Sequence, residues 1–454
     1  MTAETISNQT TVKSTVKEKI AFAISGVGGG AFCWGFISGF IMLYYTDSVG
    51  MSAATMGTMM LIARVLDGIT DVLVGALIEK THNKLGKGRP WYILSAPLLA
   101  ICLFLCFNVP ASLSTSGKVA YISATYILMC AGAYTIYGMS EQTVMARMST
   151  DPKDISTIAT VKMSAALFMA TVVYILANGM VTAFGGTKVQ AAWTKVAALY
   201  AILALVMVLI GSINVKEKIA DRIENKDVPK IPMKVAMGAA FKHPESLLLL
   251  FVFIVNYIAS GIMSSSTMYY LGYVIGDFSK IAISSTLSVF CQFVPIMFVP
   301  LLLKKFDKIK LMRFCFISSG ALSLIRLAAP TSFTLFVVGA CLQAAFLAPT
   351  YAIIWTLSVD LIMYVAAKSG IRVEGFINAI GSIGVKVGTG IGTAMVGWLL
   401  SWGQYNGAAY VQPESAVKAI IIMSIVLPGI LYIVDGLLMC MWHLQGKLRD
   451  CGII

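Results

Sequence analysis

Charged and Gly/Pro-rich breaks cut this chain into twelve long apolar runs, and few folds accommodate such a pattern. The runs extend approximately from Ile20 to Tyr45, Met51 to Ile78, Trp91 to Val109, Val119 to Met145, Ser156 to Phe184, Ala191 to Val215, Ser246 to Tyr270, Ile281 to Leu303, Phe314 to Ala329, Ser332 to Val359, Gly375 to Trp402 and Ala416 to His443. A helix crosses about 30 Å of hydrocarbon with about 20 apolar residues. Composition agrees: 58% of the residues are hydrophobic and the mean hydropathy is +0.83, against roughly 45–50% apolar in a soluble domain. The expected fold class is all-α, a polytopic membrane protein with twelve transmembrane helices. The ninth run is short and contains Arg326, which makes it the weakest of the set.

The net charge of +13 on its own suggests nucleic acid or an acidic partner, but its distribution does not. With the N-terminus inside, the cytoplasmic segments hold 25 of the 34 Lys and Arg, the outer loops hold 3, and 6 fall within runs. That asymmetry predicts a plasma (inner) membrane protein with both termini cytoplasmic and no nucleic acid among its partners, membrane lipid being one. The basic clusters at Lys80 to Arg89 and Lys304 to Arg313 read as topology signals. Nine cysteines, mostly within runs, show neither a disulfide framework nor metal spacing.

The longest polar segment, Lys216 to Glu245, carries seven Lys/Arg and the helix breakers Pro229, Pro232 and Pro244. It divides the chain into a cytoplasmic N-terminus (1–19), a six-helix bundle (20–215), a linker (216–245), a second six-helix bundle (246–443) and a cytoplasmic C-terminus (444–454). In each half a basic loop follows the second run, "EKTHNKLGKGRP" from Glu79 and "KKFDKIKLMR" from Lys304. Such weak internal symmetry fits a transporter with its site near the bilayer midplane.

Charges inside apolar runs then become informative, because each costs about 2.5–3.5 kcal/mol at the membrane centre. They are Arg64, Asp67 and Asp71 in the second run, Lys162 in the fifth, Arg326 in the ninth and Lys386 in the eleventh, with Glu141 and Asp435 nearer the inner ends of theirs. Asp67 and Asp71 lie one turn apart on one helix face. Two such carboxylates repel when both are ionised, so they hold a cation or share a proton. A structural ion pair with Arg64 or Lys386 is the other reading. Lys386 sits mid-run in "GSIGVKVGTGIG", whose glycines admit a close backbone or a ligand. Arg326, four residues before Pro330, reads equally as an interfacial group. The "GVGGGAF" at Gly26 to Phe32 lacks the Lys-Ser/Thr of a phosphate loop, so it predicts helix packing or a flexible gating helix. Trp34 and Trp355 lie deep enough to stack on a sugar or to pack the core. Three histidines at loops or ends and the lack of a nucleophile motif argue against an enzyme.

Several stretches carry a family resemblance: "YYTDSVG" at Tyr44, "RVLDGITD" at Arg64, "GKGRPW" at Gly86, "YTIYG" at Tyr134, "IWTLSVDLIMY" at Ile354 and "KSGIRVEGFINAIGSIGVKVGTGIG" at Lys368. Spread in order over both halves, they resemble the glycoside-pentoside-hexuronide:cation symporters, the group that includes melibiose permease and the glucuronide carrier. The resemblance implies the major-facilitator fold, with Asp67, Asp71 and Thr135 at cation-coupling positions. It matches Lys162 and Lys386 to basic positions and Trp355 to an aromatic one; these three with Gln142 are expected to bind substrate, and Arg64, Asp360, Glu374 and Arg372 to form gating ion pairs. Where the family often has a carboxylate in the first helix this chain reads Gly30-Ala31, the fourth-helix position is Gly138, and Met363 and Ala366 replace loop acids. Na⁺ wants several hard oxygens whereas a proton needs one basic oxygen, so the depleted set favours H⁺ over Na⁺.

The expected function is therefore cation-coupled symport of a sugar, glycoside or hexuronide by alternating access, with no cofactor beyond the coupling cation (H⁺ or Na⁺). The alternatives are an uncoupled facilitator of the same substrates, a symporter of another amphiphile such as a lysolipid, and a non-transporting sensor.

Overall fold

The computed structural model describes residues 12–218, 238, 241–369 and 374–450. Twelve helical rods run through the described residues: α1 (Val16–Ser48), α2 (Ala53–Glu79), α3 (Arg89–Cys106), α4 (Thr115–Arg147), α5 (Pro152–Ala183), α6 (Gln190–Asn214), α7 (Pro244–Val274), α8 (Lys280–Lys305), α9 (Lys308–Ala328), α10 (Phe333–Ser369), α11 (Glu374–Trp402) and α12, built of segments from Glu414–Ile421 to Met439–Met441. A short α13 (Leu444–Asp450) follows. Ten of these are long and apolar enough to cross a membrane. The two others are α2, which carries Arg64, Asp67 and Asp71, and α8, which holds the apolar stretch Ile283–Val299. Large apolar side chains such as Ile101, Phe168, Ile202, Met297 and Phe298 stand exposed on the rods, as lipid-facing residues must.

Chain contacts group into two compact units: Met1–Ile37 with Leu66–Asp227, and Ser38–Val65 with Val228–Ile454. The cut passes within α1 and α2. In the first unit, α1 widens into a π-helical stretch over Val27–Gly35, the glycine-rich segment. Its glycines are packing devices: a Cβ at Gly28 would lie 2.7 Å from Met207 Cβ on α6, and one at Gly29 would enter the Tyr137 ring of α4 at 2.2 Å. Phe36 fills the space beyond, its ring 4.6 Å from Phe107 and 4.9 Å from Tyr200. An ordinary side chain at Gly86 is excluded twice, by its φ of +112° and by the Glu217 carboxyl carbon 2.4 Å from where a Cβ would sit. That carboxylate accepts the backbone N–H groups of Lys87, Gly88 and Arg89 at 2.8–3.0 Å and pairs with Arg147 Nε at 3.0 Å. The opening residues of the interbundle segment are thus tied to the loop before α3.

In the second unit, Leu249, Phe253, Leu357, Leu361, Tyr432 and Leu448 belong to one buried core. Along α11, Gly384, Gly388 and Gly392 recur every fourth residue and let the backbone of α7 approach. Cβ atoms at 388 and 392 would lie 2.6 Å and 2.3 Å from the carbonyl oxygens of Ile254 and Ile258. This is close helix contact through small residues, the usual way to bind helices where lipid leaves no hydrophobic drive between them. Of the two readings the sequence allowed for these three glycines, close backbone is the one observed.

Candidate functional site

In the first unit the acidic face of α2 meets the middle of α4. Asp67 is buried at 3% exposure, and the Thr135 hydroxyl donates to its Oδ1 at 2.7 Å. Thr70 lies 3.5 Å from the Thr135 hydroxyl. Thr135 begins α4's final α-helical stretch just after a π-helical segment, Leu128–Tyr134, in "GAY". Such bulges re-aim side chains and recur at functional sites. Asp71, one turn beyond Asp67, is half-buried. The structure therefore brings together Asp67 and Thr135, two of the three coupling residues expected. Nothing would touch a Cβ at Gly138 within 4 Å, so the position where the resembled family carries a carboxylate or amide is open space here.

Lys162 on α5 has a partner that the sequence did not offer. Its ammonium pairs with Glu141 on α4, whose other oxygen accepts the Tyr137 hydroxyl at 2.8 Å. The lysine stem packs where a Cβ at Gly26 would meet its Cγ at 2.5 Å, and the ammonium stands 5.8 Å over the Phe22 ring. A buried Lys–Glu pair balances its own charge, so it offers an anionic ligand less than a lone lysine would. Trp34 stacks on Tyr134 at 4.6 Å. Gln142 is exposed.

In the second unit Lys386 is half-buried on α11. Two residues round the helix from Gly384 and Gly388, it faces away from the seam with α7. Trp355 on α10 is 41% exposed, its ring edge against Phe253 at 5.0 Å and over Gly381. Arg64 packs beneath Gly390, whose Cβ would lie 2.9 Å from its own. Asp360, buried at 7%, pairs with Lys308 of α9. Arg372 lies outside the described residues, and of Glu374 only its place at the start of α11 is described. Arg326, which the sequence left between interface and interior, is buried at 2% and donates to Ser323 Oγ at 2.7 Å and Gln343 Oε1 at 2.8 Å.

One carboxylate escaped the sequence reading. Asp47, buried at 6%, accepts from the Tyr405 hydroxyl at 2.6 Å, from Thr46 Oγ1 at 2.7 Å and from Tyr273. Burial, then the Asp47 charge, pushes the Tyr405 hydroxyl far above an ordinary phenol, so it stays a donor. Its signal lay in "YYTDSVG", a motif used for resemblance without asking what its Asp does.

Buried carboxylates held by hydroxyls and ammonium groups, on helices long enough to cross a bilayer, describe a polytopic membrane protein. The family described as MFS/sugar transport protein matches residues 22–446, and the chain belongs to it. It is 28% identical over 392 residues to the isoprimeverose transporter of Lactiplantibacillus pentosus, covering 85% of this chain and 80% of that one. It is 22% identical to the glucuronide carrier protein homolog of Escherichia coli (strain K12), over 83% and 81% of the two chains. Among solved structures, a nucleoside transporter superposes with TM-score 0.69 at 13% identity, over 93% of this chain and 99% of that one. A D-xylose–proton symporter does so with TM-score 0.59 at 14% identity, over 94% and 97%. These likenesses establish the major-facilitator fold. The protein is an integral, multi-pass membrane transporter and not an enzyme.

Proposed function

We propose that the protein carries a sugar or glycoside across the plasma (inner) membrane, with both termini cytoplasmic, in symport with a cation, H⁺ in preference to Na⁺. The observation that carries this reading is the Thr135 hydroxyl held on buried Asp67. An intramembrane carboxylate is a functional-site hypothesis by default, and one turn further on Asp71 shares its helix face. A cation arriving at the pair relieves the repulsion between the two acids. Substrate and cation then stabilise the same state, and coupling is the difference in their affinities for outward- and inward-open forms. H⁺ is preferred because the open space at Gly138 supplies no third carboxylate for Na⁺. The names of the relatives, an isoprimeverose transporter and a glucuronide carrier protein homolog, support a glycoside-sized ligand. With Lys162 engaged by Glu141, ring stacking on exposed Trp355 and hydroxyl recognition by Gln142 and Lys386 suit a sugar body better than two cations gripping a carboxylate. Arg64, Asp360, Glu374 and Arg372 are assigned to gating.

Proteoliposomes with radiolabelled glycosides, pentosides and hexuronides, and pH and Na⁺ gradients imposed separately, test the proposal. Asp67→Cys and Asp71→Cys are expected to insert normally and to lose accumulation against a gradient. Uphill uptake at the wild-type level in both variants refutes the coupling role. The open Gly138 position also favours a second reading, uncoupled facilitation of the same substrates, in which substrate entry causes no alkalinisation outside the vesicles.

A further inference from the structure

Deep in the second unit lies a carboxylate that takes no part in the proposed coupling. Asp435 on α12 is 0% exposed and forms no ion pair among the described residues, and neither of its oxygens accepts a hydrogen bond. The polar side chain set to hydrogen-bond with it is Asn256 of α7, 1% exposed, and the Asn256 carbonyl oxygen lacks a donor as well. Three buried oxygens, two on Asp435 and one on Asn256, therefore lack a hydrogen-bond partner.

The surrounding groups do not repair this. On its own helix Tyr432 directs its hydroxyl at Met263 Sδ, 3.6 Å away. From α10, the Tyr351 hydroxyl lies near Tyr432 and Ser260. From α9, Arg326 spends its donors on Ser323 and Gln343, and Arg313 reaches Cys440. Lys447, beyond the end of α12, is taken by Glu245. A carboxylate ion stripped of water, donors and countercharge is among the costliest things to bury. A carboxylic acid in the same place brings an O–H of its own, and the Asn256 oxygen is the acceptor beside it.

We propose that Asp435 is a proton-binding site, filled at neutral pH, whose carboxyl O–H is donated to Asn256 Oδ1 and ties α12 to α7. One H⁺ satisfies two orphaned groups at once. The site is separate from Asp67 and Asp71 and needs no transport to be observed, so its failure leaves the proposed symport untouched.

Infrared spectroscopy of the reconstituted, full-length protein tests it. At neutral pH the wild type is expected to show a protonated-carboxyl C=O band that shifts down in D₂O and loses intensity in Asp435→Asn. No such band in the wild type, or full intensity in the variant, overturns the proposal. Should Asp435→Asn fail to fold, Asn256→Leu keeps the acid and removes its acceptor. The band is then expected to move to higher frequency as its hydrogen bond is lost, and an unmoved band overturns the proposal equally.

Discussion

Replacing Gly392 by alanine adds a single carbon, and the structure gives that carbon no room. Its Cβ would stand 2.3 Å from the Ile258 carbonyl oxygen and 3.0 Å from the Ile262 nitrogen, both backbone atoms that cannot rotate away. Restoring an ordinary C···O separation of about 3.3 Å parts α7 and α11 by about 1 Å. A gap of that size forfeits roughly a quarter to a half of each dispersion contact along the seam, where Gly384 and Gly388 depend on the same approach. Overpacking of this kind costs about 1–3 kcal/mol. Alanine returns about 1 kcal/mol of helix propensity, leaving a net loss of about 0–2 kcal/mol. At about 1 °C per kcal/mol for a chain of 454 residues, the unfolding midpoint in detergent should fall by up to about 2 °C. Gly179→Ala on α5 is the control: nothing lies within 4 Å of its Cβ, so it keeps the propensity gain of roughly 0.5–1 kcal/mol and melts at or above wild type. If Gly392→Ala melts as high as Gly179→Ala, the seam is not the close backbone contact described.

Two further outcomes follow from the first unit. Glu141→Gln strands the Lys162 ammonium, a loss of about 3 kcal/mol after allowing for its partial exposure, whereas Glu141→Gln with Lys162→Met should recover most of the melting temperature. A double variant no better than the single one would count against the pair. Glu217→Gln weakens three charge-assisted bonds by about 0.5 kcal/mol each, so amide exchange at Lys87 to Arg89 should quicken on the order of 10-fold, and unchanged protection would discount the tether.

Hydropathy located the helices because lipid punishes polar side chains at every position in a span, yet it measures the thickness of oil and not the length of a helix. The ninth run, read as Phe314 to Ala329, is a rod that begins at Lys308, because Lys308, Lys310 and Arg313 are helical in the polar layer where hydropathy is silent. The acidic face of α2 was legible from local spacing, and Thr135, 68 residues from Asp67, only through resemblance. No periodicity could pair Lys162 with Glu141 or set Asn256 beside Asp435, since these meetings depend on how helices far apart in sequence pack. Arg326 looked interfacial from its nearness to Pro330, but Ser323 and Gln343 supply the acceptors that let it stay inside.

Three main-chain amides hold Glu217, beside the Arg147 guanidinium. Proline at position 87 is barred, because it brings no N–H. The fastening joins one residue with no side chain and one with a carboxylate, Gly86 and Glu217, lying 131 positions apart. A search for this fastening in other carriers would do better to follow that sparse couple than the basic letters around it.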